Sequence, residues 1–212
     1  MTGLCAGCRA GLLQTAGDWC KQCGAPVGPY LSDAGSCMSC RNDRFAFEQV
    51  IRLGIYEDPL RAACLRGKQR GSEGLLAALA DLTWERTSAR FVEQKIDLVL
   101  PVPHHWSQFL RPHNPAEILA WRWSRLLNVE CAPFLLRKSR RTPAQTRLNP
   151  TERRRNLRNA FAAPRSLEGA TVLLVDDVLT TGTTAHEASR TLKRAGAKRV
   201  VVGVLARGIG QR

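Results

Sequence analysis

Residues 172–184 have the sequence VLLVDDVLTTGTT, in which an apolar run, two acids, a small-residue turn and the start of a helix follow one another directly. The run at 171–175 is apolar enough for a central strand that is buried on both faces of a sheet. The turn at 180–184 offers hydroxyls and backbone N–H groups at a helix N-terminus, where unpaired donors and the helix dipole stabilise a phosphate. Gly182 allows a close approach of the backbone to a ligand. The stretch therefore predicts a site for a phosphorylated sugar, whose vicinal hydroxyls would donate to Asp176 and Asp177.

An ordinary strand–helix turn capped by threonine is the structural alternative. Two adjacent carboxylates directly after a buried strand are costly without a ligand, and this cost favours the binding site.

The same stretch resembles the motif with which type I phosphoribosyltransferases bind 5-phosphoribosyl 1-pyrophosphate (PRPP). The resemblance implies that Asp176 and Asp177 form the catalytic pair, which holds the ribose hydroxyls and helps to hold Mg²⁺ through those hydroxyls and its waters. It also implies that the following loop binds PRPP through Val178, Leu179, Thr180, Thr181, Gly182, Thr183 and Thr184.

The composition is that of a soluble globular protein, with 44 % hydrophobic residues among 212. The formal net charge of +14 favours polyanionic partners, such as nucleic acid, a phosphorylated metabolite or an acidic membrane surface. No apolar run has the length of a transmembrane helix, and no signal peptide is recognisable at the N-terminus. We therefore expect a cytoplasmic protein that does not insert into a membrane.

Six of the eight cysteines form three C-x-x-C pairs, a pattern typical of a zinc ribbon. In a reducing cytoplasm a structural zinc ion is favoured over a disulfide or a redox role. One zinc ion needs four ligands, so two of the six thiols are surplus or belong to a second, incomplete site. The central pair neighbours both others and is the best-supported half of a site. The candidate ligands are Cys5, Cys8, Cys20, Cys23, Cys37 and Cys40. Cys64 and Cys131 are interpreted as buried apolar residues.

Beyond residues 1–43, the predicted zinc ribbon, strands and helices alternate through residues 44–212, which predicts a parallel α/β sheet flanked by helices. Strands are expected at 45–56, 96–100, 171–175 and 199–205, and helices at 59–65, 75–84, 115–127 and 183–195. Ligands bind at the carboxyl ends of strands in such sheets, which brings Pro103 and the residues after Val175 to one edge.

Residues 137–158 form a basic segment with nine Lys or Arg residues and one acid. Cations are needed to neutralise a leaving pyrophosphate, and Lys68, Arg140 and Arg141 are candidates because ammonium and guanidinium groups bind phosphate. The run Arg153, Arg154 and Arg155 is instead a candidate contact for a nucleic-acid backbone.

Over nearly its whole length the chain resembles the ComF family, which includes the gluconate-associated GntX branch. The resemblance covers the cysteine pairs, KQRG at 68–71, LPVP at 100–103, RRTPAQ at 140–145 and the segment 153–161. It implies a type I phosphoribosyltransferase fold with an N-terminal zinc ribbon. It further implies a PRPP-binding protein of natural competence that handles single-stranded transforming DNA, with a DNA-translocation or recombination protein as partner.

Three functions fit these patterns: a PRPP-dependent transferase, a non-catalytic PRPP- or nucleotide-sensing protein that binds DNA, and an adaptor that docks through its zinc ribbon. A GntX-like role in gluconate utilisation is a further alternative.

Overall fold

The structure is a computed structural model that describes residues 3–28, 37–103, 113–139, 157–163 and 166–209. Its helices are α1 (Ala6–Gln14), α2 (Leu60–Gly67), α3 (Glu73–Glu93), α4 (Pro115–Leu127) and α5 (Thr183–Arg194). Its strands are β1 (Gln49–Ile55), β2 (Leu98–Pro101), β3 (Glu130–Cys131), β4 (Arg137–Lys138), β5 (Phe161–Ala162), β6 (Thr171–Val175), β7 (Val178–Leu179) and β8 (Arg199–Arg207).

Six of these strands form one sheet in the order β1-β8-β6-β2-β3, with β7 paired to the end of β8. Every pair in this sheet is parallel. The short strands β4 and β5 pair with each other in antiparallel fashion. The predicted parallel sheet flanked by helices is therefore confirmed.

Side chains alternate between two apolar layers along each central strand, as the pleat of a strand requires. In β6, Leu173 and Val175 pack with residues of α1 to α4, whereas Val172 and Leu174 pack with α5 and the β4–β5 hairpin. All five residues of β6 are buried, which explains why its sequence is apolar without interruption.

Gly203 on β8 makes room for the largest buried side chain of the core, Trp123 of α4. A Cβ at Gly203 would lie 2.9 Å from the Trp123 ring and 3.2 Å from Leu173. The Trp123 Nε1–H donates to the Ala80 carbonyl at 3.1 Å, so the same ring also fixes α4 against α3.

The N-terminal segment is built onto the free edge of β1. Val50 N–H donates to the Lys21 carbonyl at 2.7 Å, Trp19 Nε1–H donates to the Val50 carbonyl at 3.0 Å, and Ile55 N–H donates to the Thr15 carbonyl at 3.0 Å. These bonds cover a strand edge that would otherwise expose unpaired backbone groups. Leu12 of α1 belongs to the main core, so α1 packs as part of the sheet domain.

The predicted elements all occur, with shifted ends. β8 extends to Arg207, α3 extends to Glu93, and α5 begins at Thr183 as predicted. Trp123 is in the core, whereas the Trp121 side chain is 47 % exposed. Among the described helices, none combines the length and the apolar character that crossing a membrane requires.

We expect Gly203→Ala to lower the free energy of unfolding by about 1–3 kcal/mol, because the new methyl group overpacks the contact with Trp123. Urea denaturation measures this loss. Gly74→Ala is the control, since a Cβ there meets nothing within 4 Å. Equal denaturation midpoints for Gly203→Ala and the wild type would contradict the packing of Trp123 on β8.

Candidate functional site

The two acids occupy the carboxyl end of β6, as the sequence predicted. Asp176 N–H donates to the Gly203 carbonyl at 3.0 Å, and Leu205 N–H donates to the Asp177 carbonyl at 3.1 Å, so neighbouring β8 fixes the backbone of the pair. The carboxylates also accept from the chain that follows: Asp177 N–H donates to Asp176 Oδ1 and Val178 N–H donates to Asp177 Oδ1, both at 2.9 Å. Pro103 follows β2 at the same edge, because Val102 N–H donates to the Val175 carbonyl at 2.8 Å.

Lys68 supplies a cation to this acid pair. It is the C-cap of α2, and its Nζ lies 2.9 Å from Asp177 Oδ2. The structure thus brings together three of the residues that the sequence singled out. The Lys68 side chain is half exposed, which leaves its ammonium group accessible to a ligand.

The charges in this cluster affect one another. Burial raises the pKa of the Asp176 carboxyl well above its ordinary value, the adjacent Asp177 charge adds to this effect, and Lys68 opposes it. Burial acts to lower the pKa of Lys68, but the Asp177 and Asp176 charges outweigh it and raise that pKa. Burial lowers the pKa of Lys138 on β4, and the Asp176 charge opposes that change. Lys138 thus interacts electrostatically with Asp176, whereas the sequence indicated it only as one member of a basic segment.

The loop after the acids has the shape expected of an anion site. Val178 and Leu179 form β7, Gly182 adopts a left-handed φ of 76°, and α5 begins at Thr183. The hydroxyls of Thr181 and Thr183 lie 2.9 Å apart. Thr180 is exposed and Thr184 is half-buried in the first turn of α5. A phosphate at this helix N-terminus would meet the threonine hydroxyls and the positive end of the helix dipole.

A cleft of about 480 Å³ adjoins the loop on the side of residues 42–45. Arg44, Phe45, Arg158 and His186 line it together with Thr181–Thr183 of the loop. The Phe45 ring would lie 3.0 Å from a Cβ at Gly182, so a larger residue there would have to displace it. The cleft places two guanidinium groups and an aromatic ring beside the loop.

Four of the six candidate cysteines converge. The thiols of Cys20, Cys23, Cys37 and Cys40 are buried and all lie within 4.8 Å of one another. The sulfur–sulfur distances are 3.8 Å for Cys20–Cys40, 3.8 Å for Cys37–Cys40 and 3.5 Å for Cys23–Cys37. Sulfurs bound tetrahedrally to one zinc ion at about 2.3 Å are about 3.8 Å apart, so the donor set fits zinc.

The surroundings of this cluster also favour a bound cation with thiolate ligands. Burial raises the pKa of the Cys23 thiol, and raises that of Cys40 to about 11, so a metal ion bound by these thiolates would have to displace their protons. Arg52 Nε donates to the Gly24 carbonyl and Arg207 Nε to the Cys23 carbonyl, both at 2.7 Å. Within the described residues, Nη1 and Nη2 of Arg52 have no hydrogen-bond partner. Zinc with four thiolates is a net dianion, which would balance these two buried cations.

Cys5 and Cys8 lie elsewhere. Cys5 is the N-cap of α1, where its sulfur accepts from Cys8 N–H at 3.4 Å, and both residues are exposed. Among the described residues, the structure does not bring them to the four-cysteine cluster. Because all three pairs have the same C-x-x-C spacing, the sequence could not exclude this one. Cys64 and Cys131 are buried, as expected.

Five predicted arginines fall outside the described residues: Arg140, Arg141, Arg153, Arg154 and Arg155. Their roles in binding pyrophosphate or nucleic acid stay predictions.

We expect the purified protein to hold about one zinc ion per chain, since the converging donor set is that of a single structural site. Cys20→Ser and Cys37→Ser each remove one ligand and should lower the bound zinc to well below one per chain. Cys5→Ser is the matched control and should retain the metal. Elemental analysis measures the ratio, and loss of zinc from Cys5→Ser would contradict the assignment.

Asp176→Asn should stabilise the fold increasingly as the pH rises. The folded-state pKa of Asp176 is raised, so the folded state binds its proton more tightly than the unfolded chain does. Its contribution to stability is complete below the unfolded pKa of about 3.9 and is lost as the pH rises through the higher folded value. Denaturation of Asp176→Asn and the wild type between pH 4 and 8 measures the difference. Asp81→Asn, which breaks an ion pair with Arg122 outside the site, is the control and should not be stabilised.

Comparison with known proteins agrees with this geometry. The family model for the phosphoribosyl transferase domain matches residues 73–212. Competence protein F of Haemophilus influenzae is 30 % identical over 97 % of this chain and 90 % of its own length. The DNA utilization protein YhgH of Escherichia coli O157:H7 is 31 % identical with the same coverage, and the competence protein ComFC of Bacillus subtilis is 26 % identical over 91 % of this chain and 79 % of its own.

Among solved structures, the purine phosphoribosyltransferase of Pyrococcus horikoshii is similar with a TM-score of 0.41 and 20 % identity, over 61 % of this chain and 73 % of that one. The family model and the similarity to Competence protein F show that the chain belongs to the phosphoribosyltransferase-domain family, and within it to the ComF proteins; its N-terminal region carries the four-cysteine cluster.

Proposed function

We propose that the protein binds PRPP with Mg²⁺ at the carboxyl edge of its sheet and acts as a phosphoribosyltransferase in the cytoplasmic handling of single-stranded DNA. The observation that carries the proposal is that Lys68 pairs with the acid pair and that the loop at residues 178–184 follows these acids directly. Asp177 lies 2.9 Å from Lys68 and is followed without a break by β7, the left-handed Gly182 and the start of α5.

In this arrangement the acid pair, the loop and the metal ion would each bind a different part of PRPP. Asp176 and Asp177 accept hydrogen bonds from the ribose hydroxyls, and their oxygens suit Mg²⁺ or its waters. The hydroxyls of Thr181 and Thr183, together with the N-terminus of α5, hold the 5′-phosphate. When bound, Mg²⁺ supplies positive charge that neutralises the pyrophosphate.

Phosphoribosyl transfer needs positioning and charge stabilisation more than covalent help. The bond between the anomeric carbon and pyrophosphate breaks, and an acceptor then attacks the oxocarbenium-like centre. Lys68 pairs with Asp177, and Lys138 is within the electrostatic influence of Asp176, so both would stabilise the negative charge that builds up on the leaving group. Release of Lys68 from Asp177 toward the pyrophosphate would free that carboxylate for the ribose.

The link to DNA is supported by different observations. The relatives are named for competence and for DNA utilization. The net charge is +14, and Arg44 and Arg158 line the cleft beside the loop, where a nucleic-acid backbone would find cations. A DNA-translocation or recombination protein as partner would follow from the same role.

Calorimetry of PRPP with Mg²⁺ tests the proposal, with pyrophosphate release measured in the same samples. The wild type should bind, the double variant Asp176→Asn/Asp177→Asn should not, and Lys68→Met should bind roughly 10- to 100-fold more weakly because it loses a charge-assisted contact. The matched controls are Asp81→Asn and Lys193→Met, which remove one acid and one lysine from ion pairs outside the site.

The acceptor is tested by adding single-stranded DNA or free nucleobases. Pyrophosphate release only with an acceptor supports transfer and identifies the acceptor class. Binding without turnover under every acceptor would favour a PRPP-sensing protein. Absence of PRPP binding by the wild type would overturn the proposal.

A further inference from the structure

Arg207, the last residue of β8, connects the four-cysteine cluster to the loop at residues 178–184, which we call the phosphate loop for its proposed ligand. It is buried, with 5 % of its surface exposed. Its Nε donates to the Cys23 carbonyl at 2.7 Å, and its Nη1 donates to the Leu179 carbonyl at 3.1 Å and to the carbonyls of Thr180 and Gly208. One side chain therefore holds the backbone of a metal ligand and the backbone of the loop at the same time.

Strand pairing fixes the backbone of Arg207, so the position of its guanidinium group depends on the hydrogen bonds that the side chain makes. Arg207 pairs with Ile55 of β1 on one side and with Leu179 of β7 on the other, and its carbonyl accepts from Tyr56 N–H at 2.8 Å. A guanidinium presents five N–H donors in a rigid planar fork, whereas a lysine ammonium is a single point of charge. A planar guanidinium, unlike a lysine ammonium, can hold the carbonyls of the knuckle at residues 20–24 and of the loop in one fixed arrangement.

The loop needs such a donor for a general reason. A loop that turns its N–H groups toward an anion turns carbonyls away from it, and buried carbonyls need donors. Arg207 donates to the Thr180 carbonyl and joins Gly208 N–H in donating to the Leu179 carbonyl, directly before the residues whose hydroxyls would meet the phosphate. Its positive charge behind the loop adds to the attraction for an anion in front.

A second contact runs in parallel. Phe45 packs against the four-cysteine cluster and its ring would touch a Cβ at Gly182, while Ala46 N–H donates to His186 Nδ1 in the first turn of α5 at 3.1 Å. The segment that follows the cysteine cluster thus contacts both the loop and the first turn of α5.

We propose that metal binding at Cys20, Cys23, Cys37 and Cys40 sets the conformation of the phosphate loop through Arg207. The phosphoribosyl ligand and the zinc ion then bind with positive coupling, and Arg207 is the positioning residue that transmits it. This regulation rests on the proposed function for its ligand. Thermodynamic reciprocity requires that the ligand also tighten zinc binding by the same factor.

The experiment uses the full-length protein in zinc-loaded form and after chelation and desalting. Hydrogen exchange of the amides at 178–184 measures loop order without any ligand, and calorimetry measures the affinity for PRPP with Mg²⁺. We expect zinc removal to speed loop exchange about tenfold and to weaken PRPP binding within the range of about 5- to 150-fold that is typical of coupled sites.

Arg207→Lys and Arg207→Met should weaken PRPP binding and speed loop exchange while zinc stays bound. Removing zinc from these variants should then change PRPP affinity less than it does in the wild type, because only the contacts of Phe45 and Ala46 remain. Arg122→Lys and Arg122→Met are the matched controls, because Arg122 makes two hydrogen bonds to Asp81 on the outer helices. They should bind and exchange like the wild type.

The outcomes separate the two proposals. If zinc-loaded wild type does not bind PRPP, the proposed function fails, and loop exchange alone still decides the coupling. If PRPP binds but neither zinc removal nor Arg207→Lys changes exchange or affinity, the coupling is wrong and the function stands. If chelation unfolds the whole chain, the comparison of zinc-loaded Arg207→Lys with zinc-loaded wild type tests the coupling instead. Equal loop exchange and equal PRPP affinity in the two proteins would overturn it.

Discussion

Two carboxylates on consecutive residues at the end of a buried strand repel each other and are poorly solvated, and the site is organised around that constraint. The structure meets it locally with backbone N–H donors at 177 and 178 and with the Lys68 ammonium 2.9 Å from Asp177. These contacts do not remove the cost, because the pKa of Asp176 remains raised mainly by burial. A ribose with two hydroxyl donors and a divalent cation would complete the compensation. On the proposed function, the residual cost in the free protein would favour binding of such a ligand.

Much of this fold was predictable because its signals are local. The run at 171–175 is apolar on both faces, and α5 begins at Thr183 after the Gly182 turn, as expected. Lys68 was a candidate from its KQRG segment, and the structure places it against Asp177. The contribution of Arg207 was not predictable. An arginine at a strand end is ordinarily solvated, and nothing in the sequence indicates that carbonyls 28 and 184 residues away would surround it. The same applies to Arg52, which lies within the predicted strand at 45–56 but is fully buried.

The three cysteine pairs illustrate a different limit. Spacing indicates that a pair can face one metal, but it does not say which pairs meet. Only the fold shows that Cys5 and Cys8 belong to α1, whose Leu12 packs in the sheet core, while the other two pairs form the cluster. Hydrogen bonds cross the predicted boundary after residue 43, and that boundary stays a prediction. Residues 15–21 serve as the edge partner of β1, and the following knuckle accepts hydrogen bonds from arginines on β1 and β8.

These contacts between the cysteine region and the sheet change what a structural metal would do in this protein. A zinc ribbon attached by a flexible linker would stabilise only itself, because few of its groups would contact the rest of the chain. In this protein the carbonyls of Cys23 and Gly24, two adjacent residues in the knuckle, are the acceptors for two buried guanidiniums. The pKa of Arg52 is lowered to about 10, mainly by burial and next by the charge of Arg207. The two cations therefore repel each other where no anion compensates their charge. A metal–thiolate dianion next to them would supply that compensation. A metal-loaded cluster would thereby help to keep both arginines in place, and with them the loop carbonyls to which Arg207 donates.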